Sequence, residues 1–544
     1  MSAEAREARP AVDVATLPLA RPATVMAVGT TLSRLTGLGR VVAMAFALGV
    51  AESRLADSYN IANTLPNVLY ELVLGGVLTS VFIPVLVEEL RTKPHDEAWR
   101  SVSALVTASL GLLVAVTVAA IAAAPLVIDV FTGRVAGVQA AQQHDLATFF
   151  FRFFAPQIAL YGFAAIAAAL LNAHGRFAVP MFAPILNNLV VITMFLAFAA
   201  LTSGVPTNAS VDADPILKLL LALGTTGGVA AMAAVNLPFL RRLPGRLRAH
   251  LDLSHPAVRK VARLSAWMLL YVAVNTLGFG VSFYLANAKQ GGPTAYVTAF
   301  AFFQLPYGIA AVSIITALVP RLAARHVDRD TQGFGAAVAG GLRTTALLML
   351  PATAAYLVLA RPLIQVLLEH GVVGRASVGL VASTLQLFAV GLLPFAAFLL
   401  FARAFYARQD TRTPALVNVV ENAVTIALDF ALFPGLDVRG LALAHSLGYV
   451  AGAIMMGWLL ARRVGGLQLT RTVREVAKVA LASGAAAAVM VVVANACAGL
   501  AAEGDLGALV QLAAGGAAGL AAFLAAARAL AVQDLSVFRR LLPG

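Results

Sequence analysis

One cysteine (Cys497), eight histidines and five lysines in 544 residues exclude several common chemistries at once. A lone cysteine makes no internal disulfide, no CxxC pair and no thiolate metal cluster. The histidines are scattered, with no HExxH or similar metal spacing. A Walker A loop needs glycine directly before its lysine, yet Lys93, Lys218, Lys260, Lys289 and Lys478 follow Thr, Leu, Arg, Ala and Ala. Neither a metal site, nor a cofactor, nor an intrinsic ATPase is expected. Charge is scarce as well: 12% of residues are charged, against about 25% in an ordinary globular chain, and 60% are hydrophobic. So few polar residues cannot cover a water-soluble fold of this length, which places the chain in a bilayer.

What is present is a succession of apolar runs long enough to cross that bilayer, about 20 residues each, separated by charged or Gly/Pro/Asn breaks. Fourteen are expected, at 24–50, 60–88, 101–131, 147–172, 179–202, 215–240, 260–287, 294–320, 336–360, 376–406, 414–434, 438–461, 474–498 and 507–532. The fold class is therefore an all-α polytopic membrane protein. Residues 1–22 are charged and have no apolar centre, so they read as a cytosolic tail and not as a cleaved signal peptide. With the N-terminus inside, 28 Lys and Arg fall on inside loops and 8 on outside ones. This bias supports cytoplasmic N- and C-termini and assigns most of the +13 net charge to loops facing anionic lipid. Nucleic acid is not an expected partner.

Prolines recur at an offset near 237: Pro66 with Pro306, Pro84 with Pro320, Pro125 with Pro362, Pro156 with Pro394, and Pro180 with Pro414. The segment NAHGRFAVPMFAPILNN aligns with YARQDTRTPALVNVVEN, placing Asn188 on Asn422. This is an internal duplication. Six spans per copy is an even number, so both copies share one orientation and are related by an axis along the membrane normal. The expected organisation is a tail (1–22), an N-lobe (23–245), a C-lobe (246–465), and two further helices with a short cytosolic end (466–544). Two such lobes enclose a central cavity that opens alternately to each side.

Polar residues inside spans are costly and mark candidate sites. Ser33 and Arg34 sit about 15 Å into the first span. Gly37 and Gly39 weaken the helix between Arg34 and Arg40, so that both guanidiniums can turn toward one cavity, where forked donors suit phosphate. The bland reading pairs Arg34 with a carboxylate and lets Arg40 snorkel outward. In the second span Asp57, Asn60, Asn63, Asn67 and Glu71 follow one helical face. As cavity lining they bind a polar ligand; as interhelical glue the asparagines only hold helices together, and Asp57 is simply solvated. The eleventh span repeats the pattern with Asn418, Asn422, Thr425 and Asp429, and Asp429 is a candidate H⁺ or Na⁺ site or a helix-pairing residue. Asn187 and Asn188 read as packing glue, and Asn275, Ser282 and Gln304 are weaker candidates.

These segments resemble the MurJ/MviN lipid II flippases of the multidrug/oligosaccharidyl-lipid/polysaccharide (MOP) exporter superfamily, and in particular an actinobacterial-type branch. The resemblance rests on SRLTGLGR at 33–40, LADSYNIANTLPNVLYELVLGGVLTSVFIPVL at 55–86, LLNAHGRFAVPMFAPILNN at 170–188, QLPYGIAAVSIITALVPRL at 304–322 and FYARQDTRTP at 405–414. It covers nearly the whole chain. It implies two lobes in a V around a cationic cavity that binds an undecaprenyl-diphosphate-linked disaccharide pentapeptide. It further implies a groove by the last two helices for the lipid tail, and transport driven by membrane potential or an ion gradient without ATP. The family's first-helix Ser-Arg and second Arg fall on Ser33, Arg34 and Arg40, its acidic residue on Asp57, and its Pro-Asn pair on Pro66 and Asn67. Two departures are visible: Tyr70 and Glu71 stand where arginines commonly follow Pro-Asn, and AYVTAFAFFQ lacks the family's basic residue before Leu305-Pro306. Both make the cavity less basic.

The expected function is a flippase that carries this peptidoglycan precursor from the cytoplasmic to the outer leaflet of a bacterial plasma membrane. Ser33, Arg34, Arg40, Asp57, Asn60, Asn67 and Glu71 are its substrate-binding candidates, and Asn418, Asn422 and Asp429 its ion-coupling candidates. Alternatives are an exporter of another polyprenyl-diphosphate glycan or of cationic drugs, the latter disfavoured by buried arginines, and a non-transporting scaffold for cell-wall synthases. An enzyme is not expected, because no nucleophile, acid–base pair or metal constellation recurs in the spans.

Overall fold

The computed structural model describes residues 20–75, 82–500 and 504–532. Most of the expected cytosolic tail and the final residues from 533 onward lie outside these. In lipid every backbone N–H and C=O must be satisfied within its own segment, so long apolar runs fold as helices. The first half comprises α1 (Ala20–Leu48), α2 (Leu55–Tyr70), α3 (Ile83–Thr92), α4 (His95–Ala122), α5 (Ala124–Thr132), α6 (Val138–Phe154), α7 (Gln157–Ala173), α8 (Ala178–Leu201), α9 (Asn208–Ala213), α10 (Pro215–Ala234) and α11 (Leu237–Leu240). A linker carrying α12 (Pro256–Leu264) leads to α13 (Ala266–Ala286), α14 (Gly292–Pro306), α15 (Val312–Val327), α16 (Thr331–Leu368), α17 (Arg375–Ala389), α18 (Leu392–Ala407), α19 (Arg412–Leu436) and α20 (Val438–Val464). Helices α21 (Leu469–Leu500) and α22 (Asp505–Ala529) follow.

Among the described residues twelve helical segments are long and apolar enough to cross a membrane, and α17 with α18, bent by 48°, forms a thirteenth. The second expected span contains residues outside those described, with α2 on one side and α3 on the other. Fourteen is thus roughly consistent with the count. The third expected span is broken at Ala123, where Pro125 in the first turn of α5 removes a helical donor.

The duplication is visible in three dimensions. A π turn follows Pro66 at Glu71–Gly75, and another follows Pro306 at Tyr307–Ala311. The break between α6 and α7 at Pro156 recurs between α17 and α18 near Pro394. Helix α1 packs on α8 as α13 packs on α19, α8 on α10 as α19 on α20, and α2 on α6 as α14 on α17. Burial follows the same division. One apolar core centres on Tyr59, Phe150, Phe154, Phe195 and Phe198; a second centres on Phe302, Phe303, Phe388, Phe398 and Phe405. A third, smaller core docks α21 and α22 against Leu347 and Leu359 of α16.

Candidate functional site

The two lobes meet at the end of the bundle where α1 gives way to α2, here called the far end; α1 begins at the near end. Gly291 adopts φ +76 ahead of α14, and an added Cβ there would meet the backbone of Val50 and Ala51, so only glycine fits. This brings the first turn of α14 onto Asp57. Its buried carboxylate accepts from Gly291 N at 2.7 Å, Thr294 N at 3.2 Å and Thr294 Oγ1 at 2.7 Å. Asp57 therefore caps a helix of the other lobe, where the positive end of the helix dipole adds to the attraction. Asn60 Nδ2 donates to Thr294 Oγ1 at 3.1 Å.

Glu52 repeats the arrangement on a second helix. Its carboxylate accepts from Val50 N at 2.6 Å, and also from Gly374 N at 2.8 Å and Ser377 Oγ at 2.6 Å, at the start of α17. Arg54 Nη1 donates to Asn287 O at 3.1 Å, and Gln290 Nε2 to Ala51 O at 2.8 Å. Two carboxylates of one lobe thus hold two helix N-termini of the other. The far end is clasped shut.

Toward the near end the same face opens. Along the polar stripe of α2, Asp57 is fully buried, Asn60 is 5% exposed, Asn63 is half-buried, and Asn67 and Glu71 are exposed. In α1, Ala45 to Leu48 are mostly buried while Thr31, Leu32 and Leu35 are exposed. The polar stripe is thus enclosed at the clasp and exposed toward the near end.

Beneath the clasp lies a cavity of about 190 Å³, lined by Arg40, Tyr59, Asn60, Asn63, Gln157, Tyr161, Asn187, Thr225 and Thr298 among others. Among the described residues no carboxylate lines it. Tyr59 and Thr225 hydroxyls pair at 2.8 Å, whereas Gln157 Oε1, Asn187 Oδ1 and Thr298 Oγ1 are buried without a hydrogen-bond partner. Arg40 has no ion-pair partner among the described residues. A guanidinium with no acid to neutralise it, beside the Thr298 hydroxyl, suits a small oxyanion such as a phosphate group. The volume suits a phosphate or a few waters, far less than a sugar-peptide headgroup.

Arg34 lies elsewhere. Its guanidinium packs against Gly308 in the second π turn, where any Cβ would collide with it, and its Nε is buried without a partner. Tyr307 of the same turn lies in the vicinity of both Arg34 and Arg403, the latter on α18 of the C-lobe. Ser33 contributes its carbonyl, not its hydroxyl: Asn188 Nδ2 donates to it at 3.2 Å and to Thr36 Oγ1 at 3.0 Å. The seven substrate candidates therefore separate into a clasp (Asp57, with Asn60 shared), a cavity (Arg40, Asn60), a near-end crevice (Asn67, Glu71) and the Arg34 contact beside Ser33. Asn187 lines the cavity, while Asn188 fastens α8 to α1.

The C-lobe interior holds carboxyl groups where the N-lobe has an arginine. Asn275 Nδ2 donates to Asn418 Oδ1 at 3.0 Å, Asn422 Nδ2 to Glu421 Oε2 at 2.7 Å, and Thr425 Oγ1 to Glu421 Oε1 at 3.1 Å. One turn further, Ser282 Oγ donates to Asp429 Oδ2 at 2.6 Å, leaving Asp429 Oδ1 buried and unpartnered. Among the described residues neither carboxylate has a basic partner, and no group of three or more His, Cys, Asp or Glu gathers as a metal site. Eight residues separate Glu421 from Asp429, about 12 Å along the helix, so these are two sites and not one. The residues that pattern reading passed over are Glu52, Gln157, Thr298, Arg403 and Glu421. Glu421 had a signal, since it stands three residues after Asn418 on the same face; Glu52 sits in the loop between α1 and α2 and Arg403 in the last two turns of α18, where charge is unremarked.

Comparison with known proteins fits this geometry. The family model for the lipid II flippase MurJ matches residues 44–512. The chain belongs to that family. It is 28% identical to the lipid II flippase MurJ of Burkholderia cenocepacia over 78% of this chain and 81% of the relative. It is 29% identical to the probable lipid II flippase MurJ of Vibrio cholerae over 83% and 85%. In fold it matches a solved lipid II flippase MurJ in an inward closed conformation, with a TM-score of 0.73 at 19% identity, covering 95% of this chain and 99% of the other. It also matches an inward-facing multidrug resistance MATE transporter of the MOP superfamily, with a TM-score of 0.63 at 14% identity over 82% and 99%. Membership in the MurJ family makes the chain a transporter of lipid and not an enzyme.

Proposed function

We infer that this chain flips lipid II, an undecaprenyl-diphosphate-linked peptidoglycan precursor, across the plasma membrane of a bacterium by rocking two lobes about a shared cavity. The carrying observation is the carboxylate-free cavity around Arg40, enclosed beneath the Asp57–Thr294 clasp and next to a polar stripe that is exposed toward the near end. We take the near end as cytoplasmic, in keeping with the basic loops there. The diphosphate enters from that side, Arg34 and Arg403 receive it at the crevice, and Arg40 holds it as the lobes close behind and the clasp parts. The cavity must expand as this happens, because its present volume takes only the phosphate end of the ligand.

For coupling, Asp429 with Glu421, Asn418 and Asn422 forms the candidate H⁺ or Na⁺ site, since a buried carboxylate without a counter-charge is stabilised by taking up a cation. The test is lipid II translocation in proteoliposomes, read by access of an added headgroup-modifying enzyme. Transport by the parent, lost in an Arg34→Gln/Arg40→Gln double variant that keeps its melting temperature, is the expected result. Full transport by the folded double variant would overturn the cavity mechanism, and a folded parent that flips other prenyl-diphosphate glycans but not lipid II would overturn the substrate.

A further inference from the structure

The linker between the lobes forms a second cationic pocket, remote from the cavity. Its sequence from Arg246 to Leu253, RLRAHLDL, alternates polar and apolar residues with period two. No helical hydrogen bonding occurs there, and the alternation sorts the side chains as on an extended strand. Arg248 N donates to Ser103 Oγ at 3.2 Å and His250 N to Thr107 Oγ1 at 3.2 Å. The spacing accounts for this: two extended residues advance about 6.6 Å and one helical turn of four residues about 6 Å, so the strand runs along α4 with alternate amides facing it. The chain then returns, and His255 Nε2 lies 3.5 Å from Ser101 Oγ. The segment dips along α4 and comes back.

Arg100 is the last charged residue of α4 before an uncharged stretch that begins at Ser101, so the dip lies at the edge of the hydrocarbon. Leu247, Leu251 and Leu253 point away from the pocket and are 40%, 65% and 64% exposed. Arg246, Arg248 and His250 line a pocket of about 610 Å³ together with His95 and Arg100. Its floor is Trp99, buried beneath Gly245, where a Cβ would strike the indole. Among the described residues none of the three arginine side chains has a hydrogen-bond or ion-pair partner, and Asp96 is the one carboxylate in the lining. The cations therefore exceed the acid by two even with both histidines neutral.

We propose that this pocket binds the phosphate headgroup of an anionic phospholipid of the leaflet on the near side, holding the interlobe linker onto the N-lobe. The shared chemistry is a phosphate anion, for which soluble phosphate is the other source. The row of exposed leucines at the same depth favours the lipid, because it supplies a surface for acyl chains that free phosphate has no use for. The linker already holds the N-lobe at a second point, since Lys260 Nζ meets Glu88 Oε1 at 2.7 Å. A lipid here would complete that attachment and fix where α13 starts. The proposal does not depend on the transported substrate.

The test uses the full chain in detergent, with native mass spectrometry after addition of phosphatidylglycerol, phosphatidylcholine or sodium phosphate. The parent should retain phosphatidylglycerol at least about tenfold over phosphatidylcholine, and Arg100→Gln/Arg246→Gln/Arg248→Gln should bring retention to the phosphatidylcholine level. Should the triple variant misfold, Trp99 fluorescence decides in a Trp267→Phe/Trp458→Phe background: bromolabelled phosphatidylglycerol should quench it more than bromolabelled phosphatidylcholine. Equal retention by parent and triple variant, or equal quenching by the two lipids, would overturn the site. Binding of sodium phosphate alone as strong as that of phosphatidylglycerol would overturn the lipid assignment.

Discussion

The two lobes are copies of one six-helix plan, yet their interiors hold different ionisable groups. In the N-lobe, Arg40 stands among Gln157, Asn187 and Thr298 with polar atoms left unpaired and no acid among the lining residues. In the C-lobe, Glu421 and Asp429 stand among Asn275, Asn422, Thr425 and Ser282, with all but one carboxylate oxygen engaged and, among the described residues, no base in contact. A duplicated scaffold has thus produced one half suited to a phosphate anion and one suited to a small cation. The two sets of groups do not meet: Arg40 faces the N-lobe cavity, while Glu421 and Asp429 are buried within the C-lobe.

Inverting the N-lobe charge should break the comparison most severely. Arg40→Glu places an acid where the cavity has none, and transport should fall by about 100-fold, the equivalent of losing a charge-assisted contact of about 2.7 kcal/mol. Arg40→Gln should fall less. Transport in reconstituted vesicles with melting temperature as the folding control checks this, and equal loss in the two variants would show that shape and not charge matters at this position.

Asp57→Asn comes next, because it touches the junction between the lobes. The amide cannot accept from Gly291 N, Thr294 N and Thr294 Oγ1 together as the carboxylate does, at a cost of about 1.5–3 kcal/mol. The clasp should open more often. With Cys497 replaced, cysteines at Ala51 and Ser377, whose backbone N and Oγ lie 3.0 Å apart, report closure by crosslinking. Crosslinking at least fivefold slower in Asp57→Asn is expected, and an unchanged rate would detach this aspartate from the gate.

Within the C-lobe, Asp429→Asn should alter ion dependence more than Glu421→Gln. Asp429 keeps an unpartnered oxygen free to take a cation, while both oxygens of Glu421 are already engaged. Transport under imposed Na⁺ or proton gradients, compared between the two, should show a loss of about tenfold against about threefold, or roughly 1.4 and 0.6 kcal/mol. The reverse order would move the coupling site to Glu421.

Much of this plan is legible in the sequence because the bilayer enforces it. Span length, basic loops and paired prolines follow from hydrocarbon thickness and from the missing proline donor, and they account for the helices and the duplication. The polar stripes in α2 and α19 are legible for the same reason. What each stripe residue does is not, because Asp57, Asn60 and Asn67 share one face and differ only in depth, and depth decides between clasp, cavity and crevice. Arg34 and Arg40 share a helix, yet the first meets Gly308 across the lobe interface and the second enters the cavity. No periodicity within α1 encodes the position of a π turn that lies more than 250 residues away.

The smallest expected effect concerns the near-end turn that aligns between the copies. In the C-lobe the turn between α18 and α19 is tied by Asp410, which accepts from Thr413 N at 2.9 Å, from Thr413 Oγ1 at 2.7 Å and from the Arg463 guanidinium. Partial burial pushes its carboxyl up, but these donors together hold it below the usual carboxylate range. In the N-lobe the corresponding turn is tied by Arg176, which donates to the backbone carbonyls Phe239 O at 3.1 Å and Arg242 O at 3.2 Å, with no carboxylate in either contact. The pH dependence of the two ties differs accordingly. A carboxylate with a depressed folded pKa contributes stability above its unfolded pKa of about 3.9, and loses it as pH falls through the lower folded value. Melting temperature followed from pH 7 to pH 3 should therefore converge for the parent and Asp410→Asn at the acid end. Arg176→Gln should stay below the parent by a constant amount. The differences are small, within about 1 kcal/mol for such exposed pairs. Parallel curves for all three proteins would mean that the Asp410 tie contributes nothing the Arg176 tie does not.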